Sequence, residues 1–296
     1  SEPTAGAAML EALARYAFLQ NAVLAVLLGS VACGTIGSLL FVNRMSGLSG
    51  GIAHAVFGGL GFALFAGIDP LAGAVGASIL ASLLLGFLFR GARSRSEAAI
   101  AAVWSIGMSM GLVFAAMAPG YRGDLMGYLF GSVLAVPAAD LVLTVVVDAA
   151  ALLFVTVFYR RILAISFDPE YAAARGMSAG ALYTAFLVLT GLSVVVLMRS
   201  VGLVMVIALL TIPPATARLL TYRLPVMIPA ACALSAAAGL GGLAASWSLD
   251  LPAGACIVLT SAAGFGLVSF ASRVASAVRT RGRRTQTSPT AGARPD

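Results

Sequence analysis

The chain has 296 residues, of which 60% are hydrophobic and only 10% charged, with a net charge of +7. Soluble domains are about half apolar and about a quarter charged, so this composition excludes a soluble globule. The basic excess excludes less by itself, because its meaning depends on where the charges lie along the chain. A crossing of the hydrocarbon slab takes about 20 apolar residues, and the sequence holds enough of them for about nine.

The predicted spans, in chain order, run from Ala17 to Val42, Gly51 to Gly67, Leu71 to Phe89 and Ala98 to Met117. They continue from Leu141 to Phe158, Ser178 to Met198, Val201 to Leu220, Val226 to Trp247 and Ala253 to Phe270. The fold class is therefore an all-α integral membrane protein, a polytopic bundle of about nine transmembrane helices, or eight if one segment is re-entrant. Residues 1–16 read as a polar N-terminal segment, 17–270 as the membrane domain and 271–296 as a basic, disordered cytoplasmic tail. No basic stretch precedes the first span, so it reads as a retained helix and not as a cleaved signal.

All 18 basic residues are Arg; there is no Lys. With the N-terminus outside, only Arg15, Arg122 and Arg199 face outward and the other fifteen face the cytoplasm. The reverse orientation inverts that partition, so the positive-inside rule selects N-out and C-in. Spread over short loops in this way, the arginines are a topology signal and give no sign of nucleic-acid binding. The missing Lys also excludes a Walker-type phosphate loop and any Lys Schiff base. Cys33, Cys232 and Cys256 are isolated in apolar stretches, in neither a disulfide framework nor a zinc-ligand pattern.

Two places break the alternation of span and short loop. Leu125 to Val136 is apolar but too short to cross, and Pro137 closes it. It reads as an outer half-helix, tolerated at membrane depth only where protein or water covers it. Within the inner segment Tyr159 to Met177, the run Asp168-Pro169-Glu170 through Arg175-Gly176 carries a helix start and a glycine stop. A short amphipathic helix on the cytoplasmic face is expected there, with an ordinary loop as the alternative. Pro213 and Pro214 lie inside an apolar span and remove two backbone donors, so a kink or break is expected. Glycines clustered at positions 47, 51, 58, 59, 61, 107, 111, 239, 241 and 242 suit close helix packing.

Two ionisable residues fall within spans. His54 lies about one turn inside the second, in Met45-Ser46-Gly47-Leu48-Ser49-Gly50-Gly51-Ile52-Ala53-His54-Ala55. Intramembrane ionisable groups usually face a bundle interior or a water path, and imidazole suits zinc, iron and similar ions. The alternative is a His that hydrogen-bonds a neighbouring helix. Asp148 lies mid-span in Val145-Val146-Val147-Asp148-Ala149 and needs a partner, either His54, a cation or polar groups of another helix. Asp69, Asp124 and Asp250 read as solvated loop-end carboxylates, and Met108, Met110, Met198 and Met205 as apolar packing able to offer thioether contacts.

Three stretches resemble the permease subunits of ABC importers for zinc, manganese and iron. Arg44-Met45-Ser46 through His54-Ala55 resembles that family's "RMS…SHA" run, with Ala53 for Ser. Asp124-Leu125-Met126-Gly127-Tyr128-Leu129-Phe130-Gly131 resembles its "DLxxYLFG" half-helix. Ala208-Leu209-Leu210-Thr211-Ile212-Pro213-Pro214-Ala215-Thr216-Ala217-Arg218 resembles its "LLxIPAATAR" helix, with Pro214 for Ala.

The resemblance covers about Leu27 to Phe270 and implies a fold related to type II ABC importer permeases, in a bacterial or archaeal inner or plasma membrane. It implies a permease homodimer with two cytoplasmic ATPase subunits, ATP being bound there, and an extracellular solute-binding protein. The cargo is a divalent ion, zinc or manganese, with no cofactor held by this chain. The half-helix with Asp124, Tyr128 and Phe130 is expected near the gate. Asp168, Pro169, Glu170, Tyr171, Arg175 and Gly176 are expected to dock into the ATPase.

The chain also departs from the pattern. The family places Asp four residues before the His, so that both ligands share one helical face; here that position is Gly50. His54 and Asp148 are the candidate metal-contacting groups. The incomplete pair keeps open the alternative of a metal chelate such as a siderophore or cobalamin. An intramembrane enzyme or a channel is the reading from other classes, and one His with no Lys argues against an enzyme.

Overall fold

In the computed structural model the described residues are 14–88, 96–118, 131, 136–167 and 179–286. Nine helices occupy them: α1 (Ala17–Val42), α2 (Ser46–Ala66), α3 (Pro70–Leu88), α4 (Ser96–Met117), α5 (Ala138–Phe167), α6 (Ala179–Val201), α7 (Leu203–Leu220), α8 (Leu224–Leu249) and α9 (Ala253–Gln286). Among the described residues there is no strand. All nine are long and apolar enough to cross a membrane. The expected outer half-helix, with Asp124, Tyr128 and Phe130, and the cytoplasmic segment from Asp168 to Gly176 lie outside the described residues.

Two helix lengths depart from expectation for one reason. Hydropathy marks the edge of the hydrocarbon, whereas a helix continues wherever its backbone can hydrogen-bond along its own axis. The fifth span was expected to end at Phe158, yet α5 runs on through Arg160 and Arg161 to Phe167. The Arg161 guanidinium lies 5.8 Å from the centroid of the Phe158 ring, the stem of a cation lying back along apolar surface. The last span was expected to end at Phe270 with a disordered tail beyond, and α9 continues to Gln286. A smaller correction concerns His54, which is the ninth residue of a helix that starts at Ser46, more than two turns in.

The bundle is centred on α1 and α2. Helix α1 packs against α8, α7 and α5; α2 packs against α4 and α3; α9 lies on α8 and α7. The large apolar residues left outside this packing, such as Leu80, Phe87, Leu259, Leu267 and Phe270, are about 70% exposed. In water that would be an aggregation surface, whereas for a spanning helix it is the lipid face.

Inside the bundle, polar side chains satisfy themselves at short range. Thr35, Thr144, Thr190, Thr211 and Thr216 each donate to the carbonyl four residues back, at 2.7 to 2.9 Å. Other hydroxyls reach across to a neighbouring helix: Ser82 Oγ donates to the Leu187 carbonyl at 2.9 Å, and Thr260 Oγ1 to the Ala238 carbonyl at 2.8 Å. Where lipid offers no partner, this is how a hydroxyl is carried at membrane depth.

Helix α7 runs unbroken through Pro213 and Pro214. Pro214 cannot donate to the Leu210 carbonyl one turn back. That carbonyl faces Gly37 of α1, where an ideal Cβ would lie only 2.6 Å from the oxygen. The helix therefore stays continuous while its freed carbonyl is covered by a close backbone approach.

A close backbone approach joins α2 to α4. An ideal Cβ on Gly107 would lie 2.6 Å from the His54 carbonyl oxygen and 2.7 Å from Ala55 Cα, and one on Gly58 would lie 2.8 Å from the Gly107 carbonyl oxygen. These are backbone atoms and cannot turn aside. Gly107→Val is therefore expected to force the two helices apart and destabilise by about 1–3 kcal/mol. Gly241, with nothing within 4 Å of its ideal Cβ, serves as control: Gly241→Ala should leave the melting midpoint of the detergent-solubilised protein unchanged or raised.

Candidate functional site

Helical spacing explains why His54 meets α4. On α2, Gly50, His54, Gly58 and Gly61 fall on one face; on α4, Trp104, Gly107, Met108 and Gly111 do the same. The glycines bring the two backbones together, and the three large side chains share the remaining room. Helix α2 begins after Met45 without a side-chain cap and ends at Gly67 in the left-handed conformation, φ 67°.

His54 is 8% exposed. Its ring stacks on Trp104, with centroids 4.7 Å apart and planes 16° from parallel. Its Nδ1 lies 3.3 Å from the Met108 sulfur. Trp104 also covers the position where a carboxylate is missing. An ideal Cβ on Gly50 would lie 3.4 Å from Trp104 Cζ3 and 3.7 Å from Cε3. A methyl group fits there at ordinary contact distance from the indole and from Ile207.

The structure does not group Asp148 with His54. Asp148 is 5% exposed, and neither carboxylate oxygen has a hydrogen-bond partner. Its carboxyl group lies within electrostatic reach of the thiols of Cys33 on α1 and Cys232 on α8. Ser235, one turn from Cys232, bonds the Cys33 thiol, and Cys232 Sγ lies 3.9 Å from the Val31 carbonyl. None of the described side chains donates a hydrogen bond to either oxygen. Among the described residues no group of three or more His, Cys, Asp or Glu could hold a metal ion. Trp104 was missed from sequence, as was the pairing of Met108 with His54. The spacing of His54, Gly58, Trp104 and Gly107 was the available signal.

One membrane face is tied by charge. Asp140 in the first turn of α5 pairs with Arg199 in the last turn of α6, at 3.0 and 3.2 Å. Asn21 Nδ2 donates to the Val136 carbonyl at 3.2 Å on the same side. Gly131, φ 69°, sits against the backbone of Val201 and Gly202. At the other face, a small groove opens between the ends of α1, α5 and α6, lined by Leu39, Asn43, Ile162, Tyr183 and Phe186. Tyr183 also bonds the Met45 sulfur there.

A nine-helix apolar bundle with buried ionisable groups at membrane depth and an outer shell facing lipid has the architecture of a polytopic transport subunit. The sequence profile of the ABC 3 transport family matches residues 15–272. The membrane protein slr2045 of Synechocystis sp. is 41% identical over 266 residues, covering 90% of this chain and 94% of its own length. The manganese transport system membrane protein MntC of Halalkalibacterium halodurans is 34% identical, covering 87% and 88%. A solved structure of PsaBC from Streptococcus pneumoniae in complex with Fab superposes with a TM-score of 0.79 at 32% identity, covering 88% of this chain and 94% of that one. The chain belongs to the ABC 3 transport family and is a multi-pass membrane protein.

A carboxyl group buried without a hydrogen-bond partner costs stability. Asp148→Asn, nearly isosteric and never charged, is expected to raise the stability of the solubilised protein by about 1 kcal/mol or more. Thermal unfolding of the two proteins side by side provides the measurement.

Proposed function

We propose that this chain is the membrane-spanning permease subunit of an ATP-driven importer for a divalent transition-metal ion. It works as a homodimer with two cytoplasmic ATPase subunits and receives its cargo from an extracellular solute-binding protein. The observation that carries the reading is the chain's one imidazole, buried in mid-helix against α4 and placed in the family's motif for metal passage. A single imidazole per copy suits an ion in transit. Family membership and the manganese system named for a relative support a metal cargo. The absence of Lys supports an energy source on another subunit.

The chelate alternative calls for a wide, ligand-poor chamber. The direct packing of His54 on an indole and a thioether favours a bare ion over it. In this reading, Asp168 to Gly176 form the coupling segment that receives the push of ATPase closure. Their place in the chain supports this, since they join α5 to α6, which together with the end of α1 border the groove around Asn43 and Tyr183.

In vesicles holding the permease with its ATPase, His54→Ala is expected to reduce divalent-metal uptake by about tenfold or more, the scale on which groups around a metal act. Unchanged uptake of every metal tested refutes the transit role. For the coupling segment, cysteines placed at Tyr171 or Ala174 are expected to crosslink to the ATPase in a nucleotide-dependent way. No crosslink under any nucleotide condition refutes docking there.

A further inference from the structure

We propose that the arginine-rich end of α9 is a docking surface for anionic phospholipid headgroups of the cytoplasmic leaflet. The inference goes beyond the transport reading and depends neither on the cargo nor on His54. It is carried by where α9 leaves the hydrocarbon and by the charges the chain places there.

The first step concerns the lipid face. Helix α9 packs on α8 and α7, and its remaining sides are left to the bilayer, with Leu259, Leu267, Phe270 and Val274 all exposed. It therefore emerges at the rim of the bundle, with lipid beside it up to the last apolar turn. The apolar span runs to Ala275, yet the backbone stays helical to Gln286. Arg273, an exposed residue, stands at that boundary. Arg279, Arg281, Arg283 and Arg284 follow on the same continuous helix.

The second step concerns charge and reach. From Leu251 to Pro295 the sequence has no Asp or Glu, so no acidic residue of this stretch offsets the arginines. At a rise of about 1.5 Å per residue, Arg279 to Arg284 lie about 6 to 14 Å along the helix beyond Ala275. The headgroup layer adds about 5–7 Å to each side of the hydrocarbon. The field of an anionic leaflet reaches about 8 Å further at physiological salt. The whole cluster thus stands within the zone where acidic headgroups attract it. Its chemistry fits as well, because the guanidinium fork matches phosphate oxygens two at a time.

Position favours lipid over the ATPase as the partner. The segment proposed to meet the ATPase joins α5 to α6, whereas α9 packs on α8 and α7. The arginines continue a surface that already faces lipid.

The test uses the full chain reconstituted in phosphatidylcholine vesicles with a trace of spin-labelled phosphatidylglycerol or spin-labelled phosphatidylcholine. Electron paramagnetic resonance reads how strongly each lipid is held at the protein surface. One arginine near a charged membrane surface is a factor of about five, so wild type is expected to hold phosphatidylglycerol about fivefold more strongly. Combining Arg273→Gln, Arg279→Gln, Arg281→Gln, Arg283→Gln and Arg284→Gln is expected to remove most of that preference, with an unchanged melting midpoint. The same five positions changed to Lys should keep it, and salt of about 1 M, which shortens screening to about 3 Å, should erase it. Arg93→Gln/Arg95→Gln, between α3 and α4 in the chain, should leave it in place.

No wild-type preference, or a preference that survives the five Gln substitutions, overturns the proposal. A loss with Lys as large as with Gln also overturns it, since charge is then not what holds the lipid. If the ATPase binds wild type in phosphatidylcholine vesicles but not the five-Gln variant, while lipid preference is equal in the two, the partner is a protein and the proposal falls.

Discussion

The contact between α2 and α4 is the constraint on which the site depends. Helix association in lipid has no hydrophobic drive and rests on packing and close approach. Gly58 and Gly61 on α2 face Gly107 and Gly111 on α4, and no Cβ fits at any of these positions without shifting backbone or an aromatic ring. Their spacing leaves three places on the shared face for large groups, and His54, Trp104 and Met108 occupy them. The imidazole is buried because of this contact and would otherwise face lipid or water. The geometry of the face around His54 is thus a consequence of glycine spacing.

The rest of the bundle obeys the requirement that every backbone polar group finds a partner within the protein. Hydroxyls turn back to their own helix. Proline inside α7 frees a carbonyl, and a glycine of α1 lets that carbonyl rest against neighbouring backbone. Among buried side chains, the hydroxyls of Ser38 and Ser193 are exceptions, and so is Asp148. Its two oxygens are buried without hydrogen-bond partners, beside two thiols that are themselves weak donors. In a bundle this economical with polar groups, such an exception is a local cost to folding that packing elsewhere has to offset.

Much of this was legible in the sequence. The nine spans follow from apolar length, and the first matches α1 residue for residue because its flanks change composition sharply at Tyr16 and Asn43. The ends of α5 and α9 were not legible, because arginines that leave the hydrocarbon do not stop a helix. His54 was legible as an ionisable group in an apolar run, and Gly50 as the place of a missing carboxylate. What borders that place was hidden, since Trp104 lies 54 residues along and reaches Gly50 only when α2 and α4 pack. Asp148 illustrates the same limit. Its need for a partner was clear from burial, but the choice between His54 and the groups of α1 and α8 is tertiary, and local pattern carries no information on it.

Weak ligation and an external energy source belong to one logic. A site that bound its ion through four well-placed protein ligands would resemble a closed structural centre, whose binding free energy is of order 10 kcal/mol. Each turnover would then have to overcome that well before the ion could leave. Under the proposed transit role, a lone imidazole would make a shallow well that does not trap the ion. Affinity would then reside in a delivering protein and work in an ATPase, while the permease supplies passage. The glycine-lined approach of α2 and α4 suits that division, because it holds the imidazole in place without assembling a full cage.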